Sequence, residues 1–232
     1  MNDASANTAV LLFTRTLAEE SKAKRFRIGG NDASPVVAQS LIRKSEHIVI
    51  DSGLPYFIID SSQQVGHTFG QRLSHAVNSV FTYGFERVII IGNDCPNLKT
   101  MDVSQVNLQL ACKDLVLGPA TDGGAYIIGL KKACYHEAQF SNLDWEKSTL
   151  IDSFHRYIDR FGLTSAFTVI KSDIDNTEDL MVFVFANRYH TLSVLYVSLL
   201  SVSNACRDKE IIFLPQNCCR TLPMRGPPRV AV

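Results

Sequence analysis

The sequence predicts an α/β fold in which helices cover both faces of a mostly parallel, three-layer sheet. Short apolar runs, the clearest at residues 88–91, recur along about the first 180 residues. Helical segments alternate with these runs, which is the order expected of parallel strands joined by right-handed crossovers. Polar turns follow two of the runs, at the strand ends where open α/β sheets bind ligands.

Six segments are predicted as strands because each is a short apolar run bounded by turn residues. They are residues 9–13, 56–59, 88–91, 115–117, 125–130 and 166–170. The run at 88–91 contains only valine and isoleucine, so we expect that strand to be buried on both faces of the sheet.

The predicted helices are marked by their start and stop signals. A serine followed by proline at Ser34-Pro35 predicts a helix over residues 34–47. Thr68 and Gln71 have the spacing of a capping box, and the helix that they open should end near Gly84. Further helices are predicted over residues 102–111, over 148–161 and from residue 177, whereas the basic segment at 14–27 is expected to be a loop.

Length and composition favour one well-buried domain with an appendage. The chain has 232 residues, of which 46% are hydrophobic. We expect an α/β domain over residues 1–182. Residues 183–232 should form a helical, then irregular, C-terminal appendage, which includes an apolar run at 211–214 and a proline-rich end at 222–228. Its apolar residues are too many to leave in water, so it should pack on the core or on a second subunit, preferably as a homodimer.

Charge and cysteine content exclude several classes of protein. Basic and acidic side chains number 23 each, so the chain lacks the basic excess typical of nucleic-acid binding. The six cysteines form no CxxC pair and no zinc spacing, which favours a reduced, cytoplasmic protein. The N-terminus lacks the pattern of a signal peptide. Residues 180–202 are apolar but contain Asn187, Arg188 and His190, so no membrane span is expected.

Two aspartates follow two predicted strands that we expect to be neighbours. Asp94 follows the 88–91 run directly after Asn93, and Asp122 follows the 115–117 run directly before Gly123 and Gly124. Either aspartate alone has an equally good explanation as a turn or helix-cap residue. Together, within turns that allow close approach of the backbone, they favour a ligand site.

A third acidic cluster precedes the helix predicted from residue 177. Asp173 and Asp175 lie on one side if the preceding strand extends through them. Carboxylates from two strand ends suit Mg²⁺ or Mn²⁺, which take oxygen ligands and share them with substrate phosphates. The alternative is that these acids only cap a helix. We favour Asp175 beside Asp94 as a metal site.

Four ordered motifs, at residues 64–76, 92–98, 117–130 and 173–180, carry a resemblance to a known family. They resemble a bacterial family of uncharacterised or arsenosugar-type glycosyltransferases related to nucleotide-diphospho-sugar transferases, over roughly residues 8–182. The resemblance implies a GT-A fold, in which a Rossmann-like sheet binds a nucleotide sugar through a divalent cation.

The resemblance also implies roles for individual residues. Asp94 stands where the metal-linked acid stands, and Asp175 where a second metal ligand does. Asp122, with Gly123 and Gly124, would face the sugar or the acceptor. The nucleotide is expected near Gln64, Gly66, Arg72 and Asn93.

Two further features have both a functional and a plain structural explanation. The basic segment at 14–27 supplies Arg15, Lys24 and Arg25, which suit a diphosphate but would equally form a solvated basic surface. Trp145, the only tryptophan, would stack on a sugar or simply pack in the core.

Three functions follow, in order of preference. The first is transfer of a sugar from a nucleotide donor to a small acceptor. The second is transfer of a nucleotidyl group to a phosphorylated metabolite. The segment at 14–22 contains no glycine and cannot form the glycine-rich triphosphate cradle of related nucleotidyltransferases, which disfavours this second function. The third is a nucleotide-binding protein without turnover.

Overall fold

The computed structural model describes residues 7–207, in which strands and helices alternate. The strands are β1 (Thr8–Phe13), β2 (Arg27–Ile28), β3 (Asn31–Asp32), β4 (Tyr56–Ile59), β5 (Arg87–Ile91), β6 (Leu115–Pro119), β7 (Ala125–Lys131) and β8 (Ser165–Phe167). The helices are α1 (Leu17–Ala23), α2 (Ser34–Asp51), α3 (Phe69–Thr82), α4 (Thr100–Gln109), α5 (Glu137–Ser141), α6 (Leu150–Phe161), α7 (Thr177–Ala186) and α8 (Thr191–Arg207).

Six strands form one sheet in the order β4-β1-β5-β7-β6-β8, and β2 and β3 form a separate hairpin. Only β7 runs antiparallel to its neighbours in the large sheet. The predicted α/β class with a mostly parallel sheet is therefore confirmed.

The expectation that the strands before Asp94 and Asp122 are neighbours is wrong. β7 lies between β5 and β6 and pairs with both of them. A short turn, which contains Asp122, joins β6 to β7, and a connection of that length returns the chain antiparallel to the strand it leaves. Asp122 nevertheless lies at the same edge of the sheet as Asp94, because the turn follows the carboxyl end of β6.

The segment after β1 also differs from the prediction, since α1 occupies much of the expected loop. The Thr16 hydroxyl accepts a hydrogen bond from the Glu19 N–H, and Glu19 and Glu20 lie in the first turn of the helix. Both features stabilise a helix N-terminus. A helix of seven residues is too short to show an apolar period in the sequence, so its charged residues alone suggested a loop.

Alternation along the strands divides the core between the two faces of the sheet. On one face Leu11 of β1 and Ile90 of β5 pack with α3, α5 and α6, around Phe140 and Phe154. On the other face the intervening residues of β1 and β5, with those of β6 and β7, pack against α2 and α4. Full burial of each such side chain stabilises the fold by roughly 1.5–3 kcal/mol.

A third cluster ties the C-terminal helices to the β2–β3 side of the molecule. Leu192 and Tyr196 of α8 are buried together with Phe26, Val37 and Leu180. The expected boundary after residue 182 falls inside α7, and the division into a domain and an appendage remains a prediction. The apolar run at 211–214 and the proline-rich end at 222–228 lie outside the described residues.

Within residues 7–207, no single helix combines the length and apolar composition needed to cross a bilayer. α7 and the part of α8 up to Ser201 meet that composition only as a pair, and they are bent by 114° at the break between them.

We predict that the chain forms a homodimer through α7 and α8, because each helix keeps an exposed apolar stripe, Val182 with Phe185 and Val194 with Val197. Sedimentation velocity at high protein concentration should show a dimer. The double change Phe185→Ser and Val197→Ser should shift the equilibrium towards the monomer, whereas Val169→Ser, on an exposed loop, should not. A wild-type monomer at every concentration would contradict the prediction.

Candidate functional site

A cleft of about 660 Å³ opens at the carboxyl ends of β1 and β5. Its walls come from the segments after these strands, from α1 and α3, from the β6–β7 turn and from residues 145–150 and 173–175. Its acidic lining residues are Glu19, Glu20, Asp94, Asp122, Glu146, Asp173 and Asp175, and its basic ones are Arg15, Lys24, Arg72 and Lys147. Carboxylates therefore outnumber cations along the lining.

The cleft gathers most of the residues selected from the sequence. Those that line it are Arg15, Lys24, Gln64, Arg72, Asn93, Asp94, Asp122, Gly124, Trp145 and Asp175. Arg25, Gly66 and Gly123 are not among its lining residues. Lys24 and Arg25 point in different directions at the end of α1, so Lys24 is buried and Arg25 is exposed. The functional roles of all these residues remain predictions.

The parallel register of β1 and β5 sets the floor of the cleft. Leu12 pairs with Ile91, so the residues that follow the two strands lie side by side. The Thr14 hydroxyl donates a hydrogen bond to Asn93 Oδ1 at 3.0 Å, and Asn93 Nδ2 donates to Glu20 Oε1 at 3.0 Å. Asn93 thus connects β1, β5 and α1 through one buried side chain.

Lys24 occupies the centre of an ionic network. Its Nζ lies 2.8 Å from Asp175 Oδ1, 3.2 Å from Asp94 Oδ2 and 3.5 Å from Glu20 Oε1. It also donates to the Ile174 carbonyl at 3.2 Å. Burial favours the neutral amine, but the three carboxylates outweigh it and raise the pKa of Lys24 above its ordinary value. The side chain therefore carries its charge.

The loop before α7 reaches Asp94 through its backbone. The Ile174 N–H donates to the Asp94 carbonyl at 2.9 Å, which places Asp173 and Asp175 beside the end of β5. The strand predicted over 166–170 ends earlier, at Phe167, so the condition that would place Asp173 and Asp175 on one side of a strand is not met. Burial raises the pKa of Asp94, but the Lys24 ammonium holds it below its ordinary value, so Asp94 is ionised.

Asp173 is the acid that the sequence placed near the site without giving it a role. Its Oδ1 is buried and has no hydrogen-bond partner in the described part of the chain. Burial, followed by the charges of Asp94 and Asp122, raises its pKa to about 8. The carboxyl group is therefore mostly protonated at neutral pH.

The β6–β7 turn holds Asp122 in the lining of the cleft. Asp122 Oδ1 accepts a hydrogen bond from the Gly124 N–H at 2.8 Å, which fixes the orientation of this exposed carboxylate. Gly123 has φ 90°, and a Cβ there would lie 2.0 Å from the Ser148 carbonyl oxygen. Only glycine allows the turn to pack this closely against residue 148.

Trp145 forms part of the wall and also part of the core. Its Nε1 donates to the Phe140 carbonyl at 2.8 Å, and its ring packs against Phe69, Phe140 and Phe154. The packing explanation for this residue is therefore correct, and the ring also borders the cleft. Gly70 permits the arrangement, since a Cβ at that position would lie 2.5 Å from Trp145 Cδ1.

Sequence reasoning missed Glu20 and Thr14. Glu20 is 1% exposed and pairs through its two oxygens with Lys24 and with Arg15, whose Nη1 lies at 3.3 Å. The spacing of Glu20 and Lys24, four residues apart, is typical of a helical ion pair and was the available signal. This spacing indicates an ion pair only if the segment is helical, and the segment was predicted to be a loop.

Two carboxylates in this network suit a divalent cation. Asp94 and Asp175 each have an oxygen in contact with the Lys24 ammonium, which stands as a cation between them. Mg²⁺ is commonly held by one or two carboxylates, with water and substrate phosphates completing its sphere. Within residues 7–207, no three His, Cys, Asp or Glu side chains are grouped to hold a metal ion by themselves. The pair therefore fits an ion that binds together with a phosphate ligand.

Comparison with known proteins finds similarity to a family model over part of the chain and to solved structures over most of it. Residues 57–147 match the family described as "Uncharacterized protein conserved in bacteria (DUF2064)". This match contains three of the four motifs, at 64–76, 92–98 and 117–130, and the resemblance to a bacterial family is confirmed. Among curated proteins, none matches the sequence.

Solved structures support the fold. A "putative nucleotide-diphospho-sugar transferase" from Desulfovibrio desulfuricans G20 is 20% identical, with a TM-score of 0.71 over 86% of this chain and 96% of its own. Rv0371c from Mycobacterium tuberculosis H37Rv is 7% identical, with a TM-score of 0.50 over 77% of this chain and 97% of its own. At these identities the similarity establishes the fold alone.

We predict that Gly70→Ala will destabilise the protein by roughly 1–3 kcal/mol, because the added methyl group overlaps the Ser141 carbonyl and the Trp145 ring. The emission of Trp145 should shift to longer wavelength as its packing loosens. Chemical denaturation and tryptophan fluorescence measure the two effects. His75→Ala, at an exposed position of the same helix, is the control. Unchanged stability and emission would contradict the predicted overlap.

We predict that the stability of Asp173→Asn relative to the wild type will rise with pH. The pKa of Asp173 is raised from 3.8 to about 8, so the wild type must bind a proton on folding within that window and loses stability as pH rises through it. Asparagine does not titrate, so the difference should grow by at most about 1.4 kcal/mol per pH unit and level off above the folded-state pKa.

Chemical denaturation across this window, with a chelator present, measures the effect. Asp159→Asn, at an exposed position of α6, should show no such trend. A difference between the Asp173 variant and the wild type that does not depend on pH would show that this carboxyl keeps an ordinary pKa.

Proposed function

We propose that this protein is a nucleotide-diphospho-sugar transferase, which moves a sugar from a nucleoside diphosphate donor to a small acceptor with the help of Mg²⁺ or Mn²⁺. The observation that carries the proposal is the convergence of Asp94 and Asp175 on one cation position at the carboxyl edge of the parallel strands. Open α/β sheets bind their ligands at this edge. The fold shared with the transferase-named structure from Desulfovibrio desulfuricans supports it.

The charge of the cleft supports a requirement for a divalent cation. Carboxylates outnumber basic side chains along the lining, so a diphosphate entering alone would meet net repulsion. Asp94 and Asp175 would hold the ion. A cation bound there would neutralise the diphosphate and stabilise the leaving group.

The basic and amide side chains would position the donor. Arg15 is partly exposed at the cleft, where its guanidinium pairs with Glu20 and lies 3.9 Å from Glu146 Oε1. A guanidinium with free donors suits phosphate oxygens. Gln64 Nε2 donates to the Thr14 carbonyl at 2.7 Å, so we assign Gln64 to holding the segment after β1 in place beside the nucleotide.

Asp122 would act on the acceptor. The Gly124 N–H fixes one carboxylate oxygen and leaves the other free to face the cleft. If transfer inverts the anomeric centre, Asp122 accepts the proton of the acceptor hydroxyl as general base. If transfer retains the configuration, Asp122 positions the substrate instead. Trp145 would contact the sugar with the part of its ring that borders the cleft.

Nucleotidyl transfer is the second candidate, and the start of α1 argues against it. A triphosphate cradle needs backbone N–H groups that are free to donate. Here the Thr16 N–H donates to Ser61 Oγ at 2.9 Å, and the Glu19 and Glu20 N–H groups donate to Thr16 oxygens. A nucleotide-binding protein without turnover is the third candidate, and the free Asp122 carboxylate favours an enzyme over it.

The proposal includes a cytoplasmic location and, apart from a second copy of the chain, small-molecule partners. The six cysteines, without zinc or CxxC spacing, motivate the location, and Cys95, Cys112 and Cys134 are free thiols. The balance of charges motivates the expectation that nucleic acid is not a partner.

We predict that two isosteric variants will separate donor binding from transfer. Asp94→Asn should abolish the stimulation of nucleotide binding by Mn²⁺, because an amide lacks the charge that a hard cation prefers. Asp122→Asn should leave donor binding within about twofold of the wild type and reduce transfer by roughly 10²–10⁴-fold, the usual effect of losing a general base. Isothermal titration against a panel of nucleoside diphosphate sugars and a transfer assay measure these effects.

Asp159→Asn is the control for loss of a carboxylate outside the cleft. Loss of donor binding in Asp122→Asn, with normal metal stimulation in Asp94→Asn, would show that the two roles are exchanged. Release of pyrophosphate from a nucleoside triphosphate by the wild type would favour nucleotidyl transfer instead.

A further inference from the structure

Lys24 lies where the two candidate metal ligands meet. Its side chain is 8% exposed, whereas the side chains of Asp94 and Asp175 are 38% and 51% exposed. The ammonium is therefore enclosed beneath carboxylates that face the cleft. Its hydrogen bond to the Ile174 carbonyl completes the enclosure.

A divalent cation cannot bind both acids without disturbing this lysine. Asp94 Oδ2 and Asp175 Oδ1 are the oxygens that contact Nζ, and a metal on those atoms would take the place of the ammonium. A metal on the other two oxygens would lie a few ångströms from a second positive charge, the Lys24 ammonium, which is itself shielded from water. Like charges at that separation repel strongly where water is excluded.

The network allows the Lys24 ammonium to move away while the buried carboxylate of Glu20 keeps other hydrogen-bond and ion-pair partners. Glu20 is the most deeply buried acid around the ammonium, and an unpaired carboxylate there would be costly. Arg15 Nη1 lies 3.3 Å from its second oxygen, and Asn93 Nδ2 donates to its first oxygen at 3.0 Å. Glu20 therefore stays partnered when the flexible lysine side chain turns towards the cleft.

We propose that Lys24 and the divalent cation compete for Asp94 and Asp175, so that the metal and a nucleoside diphosphate bind cooperatively. The proposal rests on the proposed function in one respect, the identity of the anion. The diphosphate provides a new partner for the displaced ammonium, and the metal provides the charge that the diphosphate needs. Each ligand thus lowers the electrostatic free energy that opposes binding of the other. Such coupling between two ligands is reciprocal. Lys24 is a positioning residue in this scheme.

The first experiment measures Mn²⁺ binding by the full chain without nucleotide, from the electron paramagnetic resonance signal of the free ion. Lys24→Met removes the competing charge and should bind Mn²⁺ about tenfold more tightly than the wild type. Lys131→Met is the matched control, because Lys131 pairs with Asp114 outside the cleft. Equal or weaker Mn²⁺ binding by Lys24→Met would overturn the proposal, since it would mean that Lys24 does not oppose the metal.

A second measurement uses the wild type and does not depend on whether the variant folds. Lys24 is buried and ion-paired, so an amine-acylating reagent should modify it slowly, whereas exposed Lys22 should react quickly. Saturating Mn²⁺ should raise the modification of Lys24 several-fold relative to Lys22, as read from peptides by mass spectrometry. No increase under saturating Mn²⁺, or no Mn²⁺ binding under any condition, would overturn the proposal.

The third experiment tests cooperativity and separates this proposal from the proposed function. Mn²⁺ titrations are repeated with UDP, GDP, ADP or CDP, and a titration without protein corrects for the metal–nucleotide complex. The nucleotide that binds should tighten Mn²⁺ binding about tenfold in the wild type and by less in Lys24→Met. If no nucleotide binds with or without Mn²⁺, the proposed function and the cooperativity fail. The comparison of wild type and Lys24→Met with Mn²⁺ alone still decides the competition.

Discussion

The parallel pairing of β1 with β5 is the constraint on which the site depends. Its register places Thr14 and Asn93 side by side at the carboxyl edge, and Asn93 then reaches Glu20 on α1. Glu20 in turn pairs with Lys24, so the junction is connected to the ionic network through α1. A shift of β5 against β1 by one residue would turn the side chains of β5 to the opposite face and move Asn93 away from Thr14, so the hydrogen bond between them would be lost.

The buried charges also explain why the short helix α1 is stable in the folded protein. A helix of seven residues is not stable on its own, because nucleation is costly and few hydrogen bonds repay it. Glu20 and Lys24 attach α1 to β5 and to the loop before α7. Burying these two charges is favourable only because each is paired more than once. The same contacts therefore stabilise the helix and prepare the cleft.

Structural features that are determined by residues adjacent in the sequence were predictable. Features that depend on contacts between distant segments were not. The strand at Tyr56–Ile59 and the capping box of Thr68 with Gln71 occur as predicted, since both depend on neighbouring residues. The order of strands depends on hydrogen bonds between distant segments, so the position of β7 was missed. Asp94 and Asp175 were selected because they follow predicted strands, whereas Glu20 was missed. Their common partner Lys24 was only one of several basic residues, and burial alone distinguished it from Arg25.

The antiparallel strand β7 separates the β4-β1-β5 half of the sheet from the β6-β8 half. The two halves are formed by different segments of the sequence. The β4-β1-β5 half and α1 supply Arg15, Lys24 and Asp94, and the loop before α7 adds Asp175, whereas the β6–β7 turn and residues 145–148 supply another part of the lining. In the proposed assignment, the first half binds the nucleoside diphosphate, and the second contacts the acceptor. Changes in one short hairpin turn and one loop would then alter acceptor choice while the nucleotide half stays intact. Under the proposed function, the acceptor site would therefore be able to change independently of the residues proposed to bind the donor.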